Sequence, residues 1–443
     1  MNVSRSLALA AALGLPCAGA VELSVGGQGQ ALIYPIYSVE SGNDTAIHVT
    51  NGALDPSIVK VRLLEGVGGQ VAHSFNLYLG GHDVWTGVLT RSADGVRLIT
   101  ADTSCTLPRL PAEGVELGAA ADPALAPRTR VGIVEVIEMG SLDPAVEYSE
   151  WKQLNEFFSG GNCGGLSGAF DAGGPWALDR HYGLKPPRGH LSGSVTLTNV
   201  MNGHQIAVEA SALNEFSQNV RQTRPEDPEP TLGQSETSYA TMRGTVIPFR
   251  NGVEAVTALL TRPSAEGDFA YGAGLNAETD WVVTFPTKAY LNALTTSDMA
   301  GERHSPFVTT PDENGLTCER VDTLLASREG ERESSDRINL CAITNIIGLG
   351  DSDILGGQYV RTRLPAPKYD TGWLELTLSG YDDTSEWSSY KRNLMPIDPP
   401  APFELKGLGM IGLSLTRIQN GDVGGLLSNY MSAKRLTSPT DPY

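Results

Sequence analysis

The sequence predicts a mainly β fold, with an immunoglobulin-like β-sandwich in residues 21–107 and a larger, second β-sandwich-like domain with short helical insertions in residues 129–443. In the first domain, apolar residues alternate with polar ones, as in Val59, Val61 and Leu63, which is typical of a strand with one buried face. Gly, Asn and Asp separate such runs about every ten residues, the spacing of turns in a β-sandwich. The runs that fit this pattern are residues 31–37, 45–50, 58–64, 71–79, 84–90 and 96–100.

The N-terminus has the parts of a secretory signal peptide, which we expect to occupy residues 1–20. Arg5 is followed by the apolar run 7–15 and then by the small residues 18–20, so we expect cleavage after Ala20. Cys17 could accept a lipid, but Pro16 stands where a lipid-attachment motif requires a small residue. No stretch of the chain approaches the roughly 20 apolar residues that a membrane-spanning helix needs. The sequence therefore predicts an exported chain without a membrane span.

The charge of the chain excludes some classes of partner. The sequence contains 32 Lys and Arg against 51 Asp and Glu, which gives a formal net charge of −19. A protein with this charge repels nucleic acid and anionic lipid, so we expect neither as a partner. The acidic residues are scattered rather than grouped, which favours a role in solubility outside the cell over a role in cation binding.

Four cysteines follow the predicted signal peptide: Cys105, Cys163, Cys318 and Cys341. None belongs to a CxxC pair, and no histidine lies at zinc-ligand spacing from any of them. An even number of cysteines in an exported chain predicts two disulfides. Three pairings are possible, and the simplest joins nearest neighbours, Cys105 with Cys163 and Cys318 with Cys341.

The second domain is expected to be less regular than the first. Residues 108–128 are rich in Pro, Ala and Gly without a strand or helix period, which predicts a linker. Residues 143–158 carry apolar side chains near one helical face and begin with a favourable Pro144. Val253, Val256 and Leu259 indicate a short amphipathic helix. Further strands are predicted at residues 131–139, 191–199, 204–210, 281–285, 338–347, 373–378 and 410–418.

The familiar catalytic motifs are missing from the sequence. It contains no GxSxG elbow, HExxH helix or phosphate-binding glycine loop. Asp179, His181 and Ser192 could be assembled into a hydrolase triad, but nothing in the sequence brings them together. Asp351 and Asp353 lie in a Gly-rich stretch and are weak calcium candidates, because they lack the glutamate and spacing of an EF-hand. We therefore predict no catalytic residue and no cofactor other than this calcium.

A glycan site is the main chemical alternative. Asp382, Asp383 and Glu386 flank Trp387, and an aromatic side chain beside a pair of carboxylates is a pattern that sugar-binding or sugar-hydrolysing sites use. The same residues also fit an ordinary polar turn after a strand. Trp176, in a loop rich in Gly and Pro, is the tryptophan that we expect to be exposed. The tryptophans expected in the core are Trp85, Trp281 and Trp373.

Several stretches together resemble a group of secreted β-sandwich proteins of Gram-negative bacteria. These stretches are residues 43–45, 59–62, 75–79, 83–86, 134–140 and 279–288. The resemblance extends over most of the chain after the signal peptide and implies export and a sandwich fold. The group brings no established activity, so the resemblance implies no catalytic residue.

Export, disulfides, sandwich patterning and the missing catalytic motifs favour a non-enzymatic protein of the bacterial cell envelope or exterior. We expect a structural or adhesive role, with an envelope or extracellular protein as the partner, including the chain itself through exposed strand edges. Two alternatives are a secreted protein that binds or hydrolyses glycans and a periplasmic assembly or chaperone-like module.

Overall fold

The computed structural model confirms a mainly β protein with few and short helices. It describes residues 19–118, 124–145, 148–159, 163–294, 305–308, 311, 315–333, 336–379, 394, 396–397 and 405–438. Most of the predicted signal peptide, residues 1–18, lies outside the described residues, so its assignment stays a prediction.

Short strands make up most of the regular structure in the described residues. The strands before residue 120 are β1 (Glu22–Leu23), β2 (Ala31–Ser38), β3 (Asp44–Asn51), β4 (Ser57–Glu65), β5 (Val71–Leu79), β6 (Val84–Arg91), β7 (Val96–Ile99), β8 (Cys105–Leu107) and β9 (Val115–Glu116). The next strands are β10 (Val131–Leu142), β11 (Leu184–Lys185), β12 (Leu191–Asn199), β13 (His204–Glu209), β14 (Ser211–Asn214), β15 (Tyr239–Met242) and β16 (Thr245–Pro248). The last strands are β17 (Thr261–Arg262), β18 (Ser264–Ala270), β19 (Ala277–Thr284), β20 (Glu319–Ser327), β21 (Arg337–Leu340), β22 (Thr344–Leu349), β23 (Arg361–Leu364), β24 (Thr371–Thr377), β25 (Leu408–Gly409), β26 (Ile411–Val423) and β27 (Leu426–Arg435). The α-helices are α1 (Tyr148–Phe158), α2 (Pro175–Leu178), α3 (Gly252–Leu260) and α4 (Lys288–Leu294).

Two antiparallel sheets form the first sandwich. The larger has the order β1-β14-β2-β10-β4-β5-β8, with β11 paired to β10, and the smaller has the order β13-β12-β3-β6-β7-β9. Buried and half-buried residues alternate along β3, because one face of the smaller sheet packs on the larger sheet and the other faces solvent. The core between the sheets includes Tyr34, Ile47, Val59, Phe75, Trp85, Val136 and Leu197.

Strand pairing crosses residue 107, where the sequence places the end of the first domain. Strand β10 is hydrogen-bonded between β2 and β4, and β12 pairs with β3 in the smaller sheet. Strand β9, inside the predicted linker, pairs with β7. Partners this far apart along the chain leave no local signal, which is why the periodicity of residues 21–107 did not reveal them.

The second sandwich consists of a four-stranded sheet, β18-β24-β20-β21, and a five-stranded sheet, β23-β22-β19-β26-β27. Only β22 and β23 pair in parallel among its described strands. The predicted strand at residues 338–347 is in fact two strands, β21 and β22, which belong to different sheets. Trp281 is in the core as predicted, whereas Trp373 is only half-buried.

The outer face of the larger sheet is also covered. Its apolar residues Ile58 and Met139 pack in one cluster with α1 and α2, and Trp176 of α2 stacks on Tyr78 with 5.9 Å between ring centroids. The expectation that Trp176 is exposed is wrong: it is 1% exposed, and its Nε1 donates to the carbonyl of Tyr182 at 3.1 Å. The Gly- and Pro-rich segment folds onto the sheet because apolar strand residues on this face need a cover.

Both disulfides join nearest neighbours along the chain. The Cys105–Cys163 bond spans 58 residues and attaches the helical cover to β8, at the edge of the larger sheet. The Cys318–Cys341 bond spans 23 residues in the second sandwich. The simplest predicted pairing is therefore confirmed. On a chain-entropy argument, closing loops of these sizes stabilises the fold by about 3 to 4 kcal/mol each.

Helix α3 exists where the sequence predicts it, but it is not amphipathic. All nine of its residues are buried, because Val253 packs in the core of the second sandwich while Val256 and Leu259 pack in a separate cluster with Phe216 and Phe249. The helix begins at an Asn251 cap, whose side chain accepts a hydrogen bond from the Glu254 N–H at 2.9 Å.

Burial on both faces also traps charged residues of the larger sheet. Arg62 of β4 and Glu135 of β10 form an ion pair with side chains 4% and 0% exposed. The Tyr290 hydroxyl of α4 donates to Glu135 Oε1 at 2.9 Å and accepts from Arg62 Nη1 at 2.8 Å. Each charge thus has a partner, as a desolvated ion pair requires.

Glu138 of β10 is a second buried acid, and it has no ion-pair partner among the described residues. Its carboxylate accepts the N–H groups of Arg188 at 3.0 Å and Gly189 at 2.8 Å and the Ser57 hydroxyl at 3.1 Å. Burial raises the pKa of Glu138 to about 7, and these hydrogen bonds partly oppose that rise.

We predict that Glu138 makes stability fall as pH rises from the ordinary pKa of 4.5 to its folded value of about 7. The folded state binds more protons than the unfolded state between these two pH values. The contribution of Glu138 to the free energy of unfolding is therefore largest below pH 4.5 and is lost as the pH rises to about 7. The free-energy difference between wild type and Glu138→Gln should change by about 3 kcal/mol over the window, measured by urea unfolding. Glu226→Gln, at a side chain 65% exposed, is the control. Parallel pH profiles of wild type and Glu138→Gln would contradict the prediction.

Candidate interaction surface

The two calcium candidates, Asp351 and Asp353, bond to different partners. Asp351 Oδ1 accepts a hydrogen bond from the Tyr271 hydroxyl at 2.7 Å, which lowers the pKa of Asp351. Asp353 Oδ2 accepts from the Ser41 hydroxyl at 2.9 Å, and its Oδ1 lies 3.6 Å from Arg361 Nη2. A guanidinium therefore stands beside Asp353, where a bound cation would be repelled. Within the described part of the chain, no cluster of three His, Cys, Asp or Glu side chains could hold a metal ion.

The other candidates from the sequence are the glycan residues and the hydrolase triad. Asp382, Asp383, Glu386 and Trp387 lie outside the described residues, so the glycan hypothesis stays a prediction. Asp179 and His181 both line a cleft of about 350 Å³ with Arg221, Gln222 and Glu236, but Ser192 is not among its lining residues. Asp179 Oδ1 accepts the backbone N–H of His181 at 2.9 Å, which is a turn contact.

The most unusual surface feature is a group of exposed apolar side chains at the ends of two hairpins. We define the hairpin surface as Val200 and Met201 in the β12–β13 turn with Val423, Leu426, Leu427 and Tyr430 in the β26–β27 hairpin. Their exposed fractions are 76%, 87%, 58%, 73%, 57% and 60%, in that order. Scattered exposed apolar residues are normal, but several in one place mark an interaction site.

The two hairpin ends are in contact, so these side chains belong to one surface. Asn429 Nδ2 donates to the carbonyl of Asn202 at 2.7 Å. Leu427 lies over Gly203, where an added Cβ would be 2.3 Å from Leu427 Cδ2. Gly203 also has a positive φ of 63°, so the turn and the close approach both favour glycine.

Local turn chemistry builds the longer hairpin. Gly424 and Gly425 connect β26 to β27 with φ of 66° and 86°, values that glycine adopts without strain. The Asp422 carboxylate accepts the N–H of Gly425 at 2.7 Å and closes the turn. A register shift between Gln419 and Asp422 increases the local twist. The hairpin end therefore has a defined backbone although its side chains are exposed.

Strand β27 is the last strand of the five-stranded sheet in the described residues. Its first eight residues, 426–433, contain no charged residue and no proline. Edge strands are normally protected by such residues, because their unpaired N–H and C=O groups can pair with another chain. In β27 the charges come only at Lys434 and Arg435, away from the hairpin end.

Below the hairpin surface lies a buried histidine. His204 is 2% exposed. Burial lowers the pKa of His204, and the nearby Arg417 lowers it further, while the backbone of Ile418 and the charge of Glu278 oppose both effects. Arg417 Nη2 donates to Glu278 Oε2 at 2.8 Å. The contact between the hairpins is thus built for a neutral imidazole.

The sequence did not predict this surface. It predicted β26 only as far as residue 418 and did not identify β27. The signal that could have revealed the hairpin is the turn sequence Asp422-Val423-Gly424-Gly425 between two runs with strand character. No local signal places the β12–β13 turn beside this hairpin, since that contact joins residues far apart along the chain: the Asn429–Asn202 separation is 227.

We predict that acid loosens the contact between the two hairpins. The pKa of His204 in the folded state is below its ordinary value of 6.5. The contribution of the neutral imidazole to stability is therefore complete above pH 6.5 and is lost as the pH falls below that value. Amide hydrogen exchange in β26 and β27, corrected for intrinsic rates, should accelerate below pH 6.5 in wild type. It should respond less in His204→Gln, while His181→Gln, at an exposed histidine, should behave like wild type. Equal acceleration of hydrogen exchange in all three proteins would contradict the prediction.

Comparison of the chain with protein-family models, with curated proteins and with solved structures gives no match. The resemblance to secreted β-sandwich proteins therefore stays a prediction from sequence.

Proposed function

We propose that the chain is an exported, non-enzymatic protein of the bacterial cell envelope or exterior, with a structural or adhesive role, which associates with further copies of itself. The observation that carries this proposal is the hairpin surface, together with the absence of charge and proline in the first eight residues of β27. Six exposed apolar side chains and a strand edge without charge or proline are a combination that a solitary protein would avoid.

Other features of the chain support export. The N-terminal pattern of residues 1–20 fits a signal peptide, and two disulfides are expected of an oxidising compartment. In the part of the chain that the structure describes, no helix is long and apolar enough to cross a membrane.

A second copy fits the surface chemically. The chain has a net charge of −19, so two copies repel each other at long range, and contact requires a local surface with little charge. Asp422 is the only charged residue in the segments 199–203 and 420–430 that form the hairpin ends. A copy of the chain offers the same apolar side chains, which suits a self-complementary interface.

We predict that the protein self-associates in a concentration-dependent way and that Leu426→Ser, Leu427→Ser and Tyr430→Ser together weaken this association. Burying each of these side chains is worth about 1.5 to 3 kcal/mol, so the combined variant should raise the dissociation constant about 1,000-fold or more. Sedimentation velocity over a range of concentrations, with native mass spectrometry, measures the change. Salt should strengthen the association by screening the net charge.

Leu54→Ser is the matched control for this experiment. Leu54 is 80% exposed and lies just after β3. In the pairing of β3 with β12, Asn51 is opposite Leu191 and Asp44 is opposite Thr198. Leu54 is therefore at the end of β3 that is remote from the β12–β13 turn. The control should associate like wild type. A wild-type protein that stays monomeric at every concentration, or a triple variant that associates as strongly as Leu54→Ser, would contradict the proposal.

We predict that the chain is processed on export, so that the mature protein begins at Val21. Expression of the full sequence in a Gram-negative host, followed by fractionation and N-terminal mass analysis, tests this. An intact Met1 in the cytoplasmic fraction would contradict export whatever the outcome of the association experiment.

A further inference from the structure

We propose that Lys60 and Asn76 are joined by an intramolecular amide bond that crosslinks strands β4 and β5. The two residues are direct register partners in this antiparallel pair, so their side chains extend from the same face of the larger sheet. Both are 0% exposed. This inference is independent of the association proposed above.

The ends of both side chains lie under the same loop. Lys60 Nζ donates to the carbonyl of Asp227 at 2.8 Å and to that of Arg224 at 3.3 Å. Asn76 Nδ2 donates to the carbonyl of Thr223 at 2.9 Å. The amine and the amide therefore bond to carbonyl groups of one short loop, including those of the adjacent residues 223 and 224. The Cβ atoms of directly opposed residues are about 5 Å apart, a distance that a lysine side chain spans.

The environment of Lys60 suits a nucleophile. Burial lowers the pKa of Lys60 to about 8, and Arg62 contributes to the decrease, while Asp227 and Glu226 oppose it. A desolvated lysine is therefore partly neutral in mildly alkaline solution, and the neutral amine is the form that attacks a carbonyl carbon. Holding the two groups together replaces an unfavourable encounter in solution by a reaction within the molecule.

The carbonyl oxygen of the Asn76 side chain, Oδ1, is unpaired within the described residues, although it is buried.

The bond-forming step is balanced without any oxidant or cofactor. The neutral Lys60 Nζ attacks Asn76 Cγ, and negative charge develops on Oδ1. A proton then passes from Nζ to Nδ2, the Cγ–Nδ2 bond breaks, and ammonia leaves. The product is a secondary amide between the two side chains, and the protein has lost the mass of one ammonia.

Intact-mass spectrometry of the purified, folded protein tests the proposal after reduction and alkylation, which remove the disulfides from the comparison. We expect a mass below that of the sequence by one ammonia, counted from whichever N-terminus is found. Digestion should give one peptide pair, containing Lys60 and Asn76, that resists reduction. Deamidation of asparagine raises the mass instead, so the sign alone separates the two reactions. A full sequence mass, or a loss of ammonia that maps to other residues, would overturn the proposal.

Two variants and one control complete the experiment. Lys60→Met and Asn76→Ala should each restore the mass calculated from the sequence, and the mass can be read even where stability falls. Lys185→Met, at a lysine 32% exposed on β11 of the same sheet, should retain the loss of ammonia. Retention of the loss in Asn76→Ala would also overturn the assignment.

Discussion

The buried contact among Arg62, Glu135 and Tyr290 is the constraint on which the arrangement of the chain depends. Removing two charges from water costs several kcal/mol for each ion, so neither Arg62 nor Glu135 tolerates the loss of its partner. Their strands, β4 and β10, are neighbours in the larger sheet, while Tyr290 lies on α4, just after a central strand of the second sandwich. The polar contact therefore fixes where the second sandwich begins relative to the first.

The same reasoning explains why the larger sheet has polar residues on a covered face. Lys60 and Asn76 would be costly there if they met only apolar side chains, and the loop at residues 223–227 supplies carbonyl groups to both. Glu138 is satisfied by backbone N–H groups of residues 188 and 189 in the same manner. Each buried polar residue specifies one covering segment, because another segment would leave it without partners. Apolar packing alone would not fix the position of these covering segments on the sheet.

Periodicity revealed the strands and not their partners. The alternation in residues 45–50 predicted β3 correctly, since one face of that strand is exposed. Strand β4 is buried on both faces, so Lys60 and Arg62 appeared to be solvent-facing residues of an ordinary strand, and their role was missed. Helix α3 was misread for a related reason: its second face is covered by a cluster that is remote in sequence. The disulfide pairing was predictable because the bridges join nearest neighbours, whereas the hairpin surface depends on a contact between distant turns.

The hairpin surface and the larger sheet differ in where they place polar and apolar side chains. The sheet places charged residues under cover and supplies each with partners, whereas the hairpin ends place Met201, Leu426 and Tyr430 in water. Folding cannot correct this exposure, because Asp422 and the glycines beside it fix the turn and Gly203 fixes the approach of the neighbouring hairpin. A hairpin end whose turn is closed by hydrogen bonds needs less ordering when it meets a partner than an unstructured segment does. Association then buries the apolar side chains that the isolated chain leaves in water.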